Sequence, residues 1–238
     1  MMNRSFMARL IPACALAAMA ILTAACSDDE SDDFVGGASG DMGIVAKDIA
    51  GLAQKGPFVK DSKVTVQGID CKTLELTLSS TCALFEVSGI YRNEITGNTT
   101  SESVTLFALS DLKDRGHVNV NMLTDLECKR VLYLVTEKGK KFADAKKQAE
   151  KEVLAAFGIA GDFDNSEDLT IYESGDGNAA LLAVSVLMQA GTDVPGLEKR
   201  MDGFKDSFAE TGKWDDSETK AAIEEWQVAA TADGTLDS

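Results

Sequence analysis

Apolar positions along this chain follow two periods, and the change between them divides it. From Lys63 to Leu109 they alternate or come in short β-branched runs. Val64, Val66 and Ile69 lie in KVTVQGI, Leu74, Leu76 and Leu78 in TLELTL, Leu84, Phe85 and Val87 in CALFEV, and Val104 to Leu109 reads VTLFAL. GIYRNEITG sits between the last two runs, and Gly56-Pro57 and Gly97-Asn98 are turn signals. Five or six short strands in succession over 44–116 predict a small antiparallel β-sandwich.

From about Asn119 the period becomes helical. NVNMLTDLECKRVLYLVTEKG predicts a helix ending at Gly139. DAKKQAEKEVLAAFG predicts a second, with Ala145, Ala149, Val153, Ala156 and Phe157 along one side. NAALLAVSVLMQAG is apolar nearly all round, which suits the middle of a bundle. VPGLEKRMDGFKDSFAETG places Leu197, Met201, Phe204 and Phe208 on one face, with Pro195 in its first turn and Gly212 at its end. DDSETKAAIEEWQVAA places Ile223 and Trp226 on one face. The expected fold class is therefore α+β: a β-sandwich over 44–116, then a bundle of five helices over 117–238. These are two domains in series, or one unit if they pack together.

Before residue 44 neither period holds. Leu10 to Ala25 is uncharged and apolar or small, and it follows Arg4 and Arg9. That run is about 16 residues, where a spanning helix takes roughly 20, and its layout over 1–25 is that of a secretory signal. At Cys26 the character changes abruptly, with five acidic residues in the next seven positions. Residues 26–43 read as a flexible acidic tether rich in Asp, Ser and Gly.

Charge narrows the partners. The net charge is −16, and removing residues 1–25 takes away Arg4, Arg9 and no acid, leaving −18. So acidic a chain argues against nucleic acid and against docking on anionic lipid. Of the five cysteines, Cys14 leaves with the signal and Cys26 stands at the junction. Cys71 and Cys82 flank a strand-like run and are either a disulfide, which an oxidising compartment would preserve, or two separate half-buried thiols. Cys128 falls among apolar residues and reads as a small buried hydrophobe.

The chemistry-bearing residues are sparse. His117 is the only histidine, so a nucleophile–histidine–acid triad or a histidine metal site would have to use it; the plainer expectation is an exposed or linker histidine. Asp162, Asp164, Ser166, Asp168 and Glu173 stand at positions 1, 3, 5, 7 and 12 of a twelve-residue loop, the oxygen spacing of a calcium-binding EF-hand. Position 6 is Glu167 where the turn wants Gly, so an acidic surface loop without metal is the default. Gly175-Asp176-Gly177 opens a helix with no phosphate-loop lysine after it. Of the two tryptophans, Trp226 lies on the apolar face of its helix and reads as core. Trp214 precedes that helix, and if exposed it is the best candidate for stacking on a sugar.

Two resemblances add to this reading. Leu22-Thr23-Ala24-Ala25-Cys26 resembles the lipobox of bacterial lipoproteins. It implies that the Cys26 sulfur carries diacylglycerol and its new amino group an acyl chain; several chains give stable anchoring where one gives only marginal binding. No other cofactor is expected. GLAQKGPFVKDSKVTV, ALFEVSGIYRNEITG, ALSDLKDRGHVNVNMLTDLE, FADAKKQAEKEVLAAFGI and AALLAVSVLMQ resemble a group of paralogous lipoproteins of Fibrobacter-type gut bacteria. The opening β part is similar to carboxypeptidase-regulatory-like sandwiches, truncated here between Cys71 and Cys82. The group implies an outer-membrane lipoprotein facing the cell surface or the periplasm, and Ser27-Asp28-Asp29-Glu30 resembles sorting signals that carry such proteins outward. The expected role is non-catalytic binding or scaffolding at the envelope, with envelope proteins or plant-fibre polysaccharide as partners. The alternative is a small envelope hydrolase, or a subunit of one, using carboxylates in a cleft between the two domains.

Overall fold

Side-chain caps set where three of the helices begin. Asn121 precedes the first helix, α1 (Met122–Thr136), and forms a reciprocal capping box with Thr124. Asp193 caps α4 (Val194–Thr211) by accepting from Gly196 N at 2.9 Å, and Gly212 ends that helix with φ 65°. Asp216 caps α5 (Ser217–Ala232). Between them run α2 (Phe142–Ala156) and α3 (Asp176–Gln189), with a single 3₁₀ turn over Ser166–Asp168. The computed structural model describes residues 48–77 and 80–235. The expected signal (1–25), Cys26 and the tether (26–43) lie outside the described residues. Among those described, no single helix is long and apolar enough to cross a membrane.

Among the described residues the strands number five. β2 (Lys63–Ile69), β3 (Cys82–Gly89) and β4 (Val104–Asp111) form an antiparallel sheet in that order. Its register pairs Val66 with Phe85, and Phe85 with Ala108. β1 (Ala53–Gln54) pairs in parallel with β5 (Val120–Asn121). On one face of the larger sheet Val104, Leu106 and Ala108 of β4 and Ala83, Phe85 and Val87 of β3 are buried. They share one apolar cluster with Met122 and Leu126 of α1, Leu181, Val184 and Met188 of α3, and Leu197, Met201, Phe204 and Phe208 of α4.

The β part differs from the expectation. The fold is α+β with five helices, but the β part is a three-stranded sheet and a short parallel pair where a sandwich was expected. TLELTL alternates as a strand does, yet it sits in a loop closed by a disulfide. There Leu74 turns to φ 58°, and Leu76 makes an isolated bridge to Ile69. GIYRNEITG turns instead of extending, because the Asn93 side chain accepts from Ile95 N at 2.8 Å and Thr96 N at 3.0 Å. Of the two arrangements left open, two domains in series or one unit, the β1–β5 pair and the shared core join both sides of 116/117 within one compact unit among the described residues. The interior of the expected seam is filled by apolar side chains, and a surface cleft remains at its edge beside His117.

Candidate functional site

Besides the Arg130–Glu152 pair, the described residues gather buried ionisable groups at three places. The largest lies where α1, α2 and the 3₁₀ turn meet. Lys146 reaches in from α2 and pairs with Glu127 of α1, with Glu167 at 2.9 Å and with Glu150 at 4.0 Å. Two hydroxyls close it: Ser166 Oγ donates to Glu127 Oε2 at 3.0 Å, and Ser110 Oγ of β4 donates to Glu167 Oε1 at 3.0 Å. Ser166 N donates to Glu150 Oε1 at 3.2 Å. Oxygens of Glu127, Glu150 and Glu167 lie within 4.8 Å of one another, the spacing of a cation site. The Lys146 ammonium is the cation held there.

Electrostatics follows from burial and from which charges face each group. Burial pushes Glu127 up to about 8, against the pull of Lys146 and with help from Glu150 and Glu167. Burial also raises Glu150. Burial works to lower Lys146, but the three carboxylates outweigh it and hold the ammonium above its ordinary value. Glu167 resists burial as well, held low by Lys146 and by Arg115.

This cluster continues outward to His117. Arg115 forms a two-bond pair with Asp168, whose Oδ2 also accepts from Asn165 at 2.8 Å. His117 Nε2 lies 3.5 Å from Asp168 Oδ1, with its side chain 48% exposed. Burial opposes the Asp168 charge, yet the Arg115 guanidinium holds that carboxyl below its ordinary value. His117, Arg115 and Asp168 line a surface cleft of about 400 Å³ with Asp111, Lys113 and Asp114.

The second place is Lys55, in the QKGPF turn after β1. Its ammonium, fully buried, sits 2.9 Å from Glu94 and donates to Ser185 O at 3.2 Å. Ser185 Oγ donates to Glu94 at 2.5 Å, and the Tyr91 ring lies 5.4 Å from the ammonium. Burial lowers Lys55 below its ordinary value, and Glu94 offsets this only in part. The third place joins Asp125 and Lys205 at 2.9 Å, with Asp125 also accepting from Phe107 N at 3.1 Å.

The side chains of the acidic loop that offered EF-hand spacing do not converge on one point. Ser166 turns inward to Glu127, Asp168 turns to Arg115, and Asp162 points outward to Lys151 at 3.5 Å. Ser166 and Asp168 belong to a tight 3₁₀ turn, whose geometry sends successive side chains apart. Asp164 and Glu173 are exposed and complete no ring of oxygens with them. Trp214 is 4% exposed and packs in an aromatic group with Phe157 and Phe204, so the exposure that stacking on a sugar would need is not there. Trp226 is only partly buried and lines a cleft of about 300 Å³ with Asn93, Thr96, Gln189 and Thr192.

Cys71 and Cys82 are joined, with Cα atoms 5.3 Å apart. Cys128 is free and buried, its Sγ bonded to Thr124 O at 3.0 Å and its thiol pushed up by burial. Cys26 lies outside the described residues. The buried ion cluster escaped the sequence reading, although a signal was present. Asp125, Glu127 and Arg130 interrupt an otherwise apolar helix, and charges so placed need buried partners. No known protein family, curated protein or solved structure matches the chain.

Proposed function

We propose that this chain is a lipid-anchored protein of the bacterial cell envelope whose folded part binds or scaffolds. The observation that carries the reading is the Cys71–Cys82 disulfide, because such bonds persist in exported proteins and are rare in reducing compartments. It agrees with the Leu22–Cys26 lipobox-like stretch and the acidic segment after it. The buried carboxylates and lysines are engaged with one another, which suits a structural role for them. The outer membrane as destination, and envelope proteins or plant-fibre polysaccharide as partners, rest on the resemblance to Fibrobacter-type lipoproteins.

The hydrolase alternative has one observation in its favour, the His117–Asp168 pair facing an open cleft beside Asp111 and Asp114. Against it, Arg115 already engages Asp168 on both oxygens.

Mass spectrometry of the protein recovered from membranes tests the anchor. The expected N-terminus is a triacylated Cys26, and Cys26→Ala is expected to accumulate as uncleaved precursor. A free Ser27 or Asp28 terminus on soluble protein would refute the reading.

A further inference from the structure

The cleft at Trp226 is built from three separate parts of the chain. Asn93 and Thr96 come from the turn after β3, Gln189 ends α3 with Gly191 and Thr192 just after it, and Trp226 comes from α5. Its polar frame is held in place. Gln189 is 2% exposed; its Oε1 accepts from the Tyr91 hydroxyl, and its Nε2 donates to Thr192 O at 2.8 Å. Gly191, at φ 63°, lies against the indole, so that a Cβ there would stand 3.4 Å from Trp226 Cδ1. The Asn93 side-chain oxygen is taken up by Ile95 N and Thr96 N. Three groups in the cleft have no hydrogen-bond partner among the described residues: Asn93 Nδ2, the Thr192 hydroxyl and the Trp226 indole N–H.

We propose that this cleft binds one ring of a neutral sugar, with Trp226 as the surface it stacks on. The inference rests on the binding role proposed above and gives it a site and a ligand class. Charge selects the class first. None of the lining side chains ionises, in a chain of net charge −16, so a charged ligand would leave water without a counter-ion to receive it. The indole selects it further. It is the largest apolar side chain, and leaving it half open forgoes the stabilisation that full burial would give. A pyranose ring matches such a surface, because it carries C–H bonds on its faces and hydroxyls around its edge. The free amide, hydroxyl and indole N–H at 93, 192 and 226 supply both donors and acceptors for those hydroxyls. The volume, about 300 Å³, is at the small end of the roughly 300–1,000 Å³ of ligand sites. It suits a single ring, with a longer chain running out over the surface.

The test titrates the full chain, held in a detergent without a sugar headgroup, with cellotetraose, a neutral chain whose ring substituents are equatorial. Calorimetry is expected to show binding of millimolar affinity or tighter, and tryptophan fluorescence is expected to change with it. Trp214 is buried, so that change reports Trp226 and is expected to vanish in Trp226→Phe. Trp226→Ala is expected to weaken binding at least about tenfold, as for an aromatic anchor. Asn93→Asp keeps the oxygen that holds the turn and loses the free amide donor, so it is expected to weaken binding severalfold with the melting temperature unchanged. Tetragalacturonate, of equal length but charged, is expected not to bind. No heat and no fluorescence change at about 10 mM cellotetraose would overturn the proposal. So would equal affinity in the parent, Trp226→Ala and Asn93→Asp chains, which would leave the binding role standing at another place. The mass of Cys26 in the same preparation decides the anchor separately.

Discussion

Lys55 and Lys146 are both buried and both paired with carboxylates, yet their environments move them in opposite directions. Lys55 faces one carboxylate, Glu94, and loss of hydration dominates. Lys146 faces three, Glu127, Glu150 and Glu167, and their summed charge overrides the same loss. The number of opposing charges decides whether a buried ammonium is strained or held fast. At Lys146 the strain passes to Glu127, which is raised to about 8 because it shares the site with two other acids.

Removing Lys146 should have the largest effect. Lys146→Met leaves Glu127, Glu150 and Glu167 buried together without their cation, and breaking a buried pair in this way costs about 3–5 kcal/mol. Urea unfolding followed by circular dichroism is expected to show that loss at pH 7 and to show it shrinking as the acids protonate toward pH 5. A loss under about 1 kcal/mol at pH 7 would mean that Lys146 does not hold the cluster together.

Glu127 gives the next effect, and its sign is fixed by linkage. The folded protein keeps a proton on Glu127 up to about pH 8, whereas the ordinary value is 4.5. The folded state therefore binds more protons between those values, and stability falls as pH rises from 4.5 to 8. Glu167 and Asp168, held low, work below that window, where stability falls as pH drops. In Glu127→Gln the decline between pH 5 and pH 8 is expected to flatten. An unchanged slope would show that Glu127 is ionised throughout.

The smallest effect is expected at Lys55. Replacing both partners, Lys55→Met with Glu94→Gln, removes a pair whose hydration loss was poorly offset, and the double variant is expected to lie within about 1 kcal/mol of the parent. Lys55→Met alone should be clearly less stable than the double variant, since it leaves the Glu94 side chain buried without its cation. If the single and double variants melt together, the contrast with Lys146 disappears.

The helices were legible because each has a complete local signal. Leu197, Met201, Phe204 and Phe208 share one face between Pro195 and Gly212, and all four are buried. β2, β3 and β4 were legible from alternation for the same reason. What was not legible depended on partners distant in sequence. The alternation in TLELTL was overruled by a disulfide-closed turn, and the burial of Trp214 was not legible because packing by Phe157 and Phe204 is invisible in the 213–230 segment alone. The Lys146 site draws on α1, α2, β4 and the 3₁₀ turn, and no spacing in the sequence links residues 110, 127, 146 and 167.

The short parallel clasp at β1 has a mechanical meaning. Ala50 N bonds Gly116 O at 3.1 Å, Val118 N bonds Ala50 O at 2.8 Å, Leu52 N bonds Asn119 Oδ1 at 3.0 Å, and Val120 N bonds Leu52 O at 2.8 Å. These bonds run side by side between two strands that point the same way. Tension entering the folded unit from its N-terminal side travels along β1 and loads all four in shear, so they must break together and not one after another. A pull applied at Ala50 would therefore meet these four bonds, and through them β5 and the start of α1, before the three-stranded sheet.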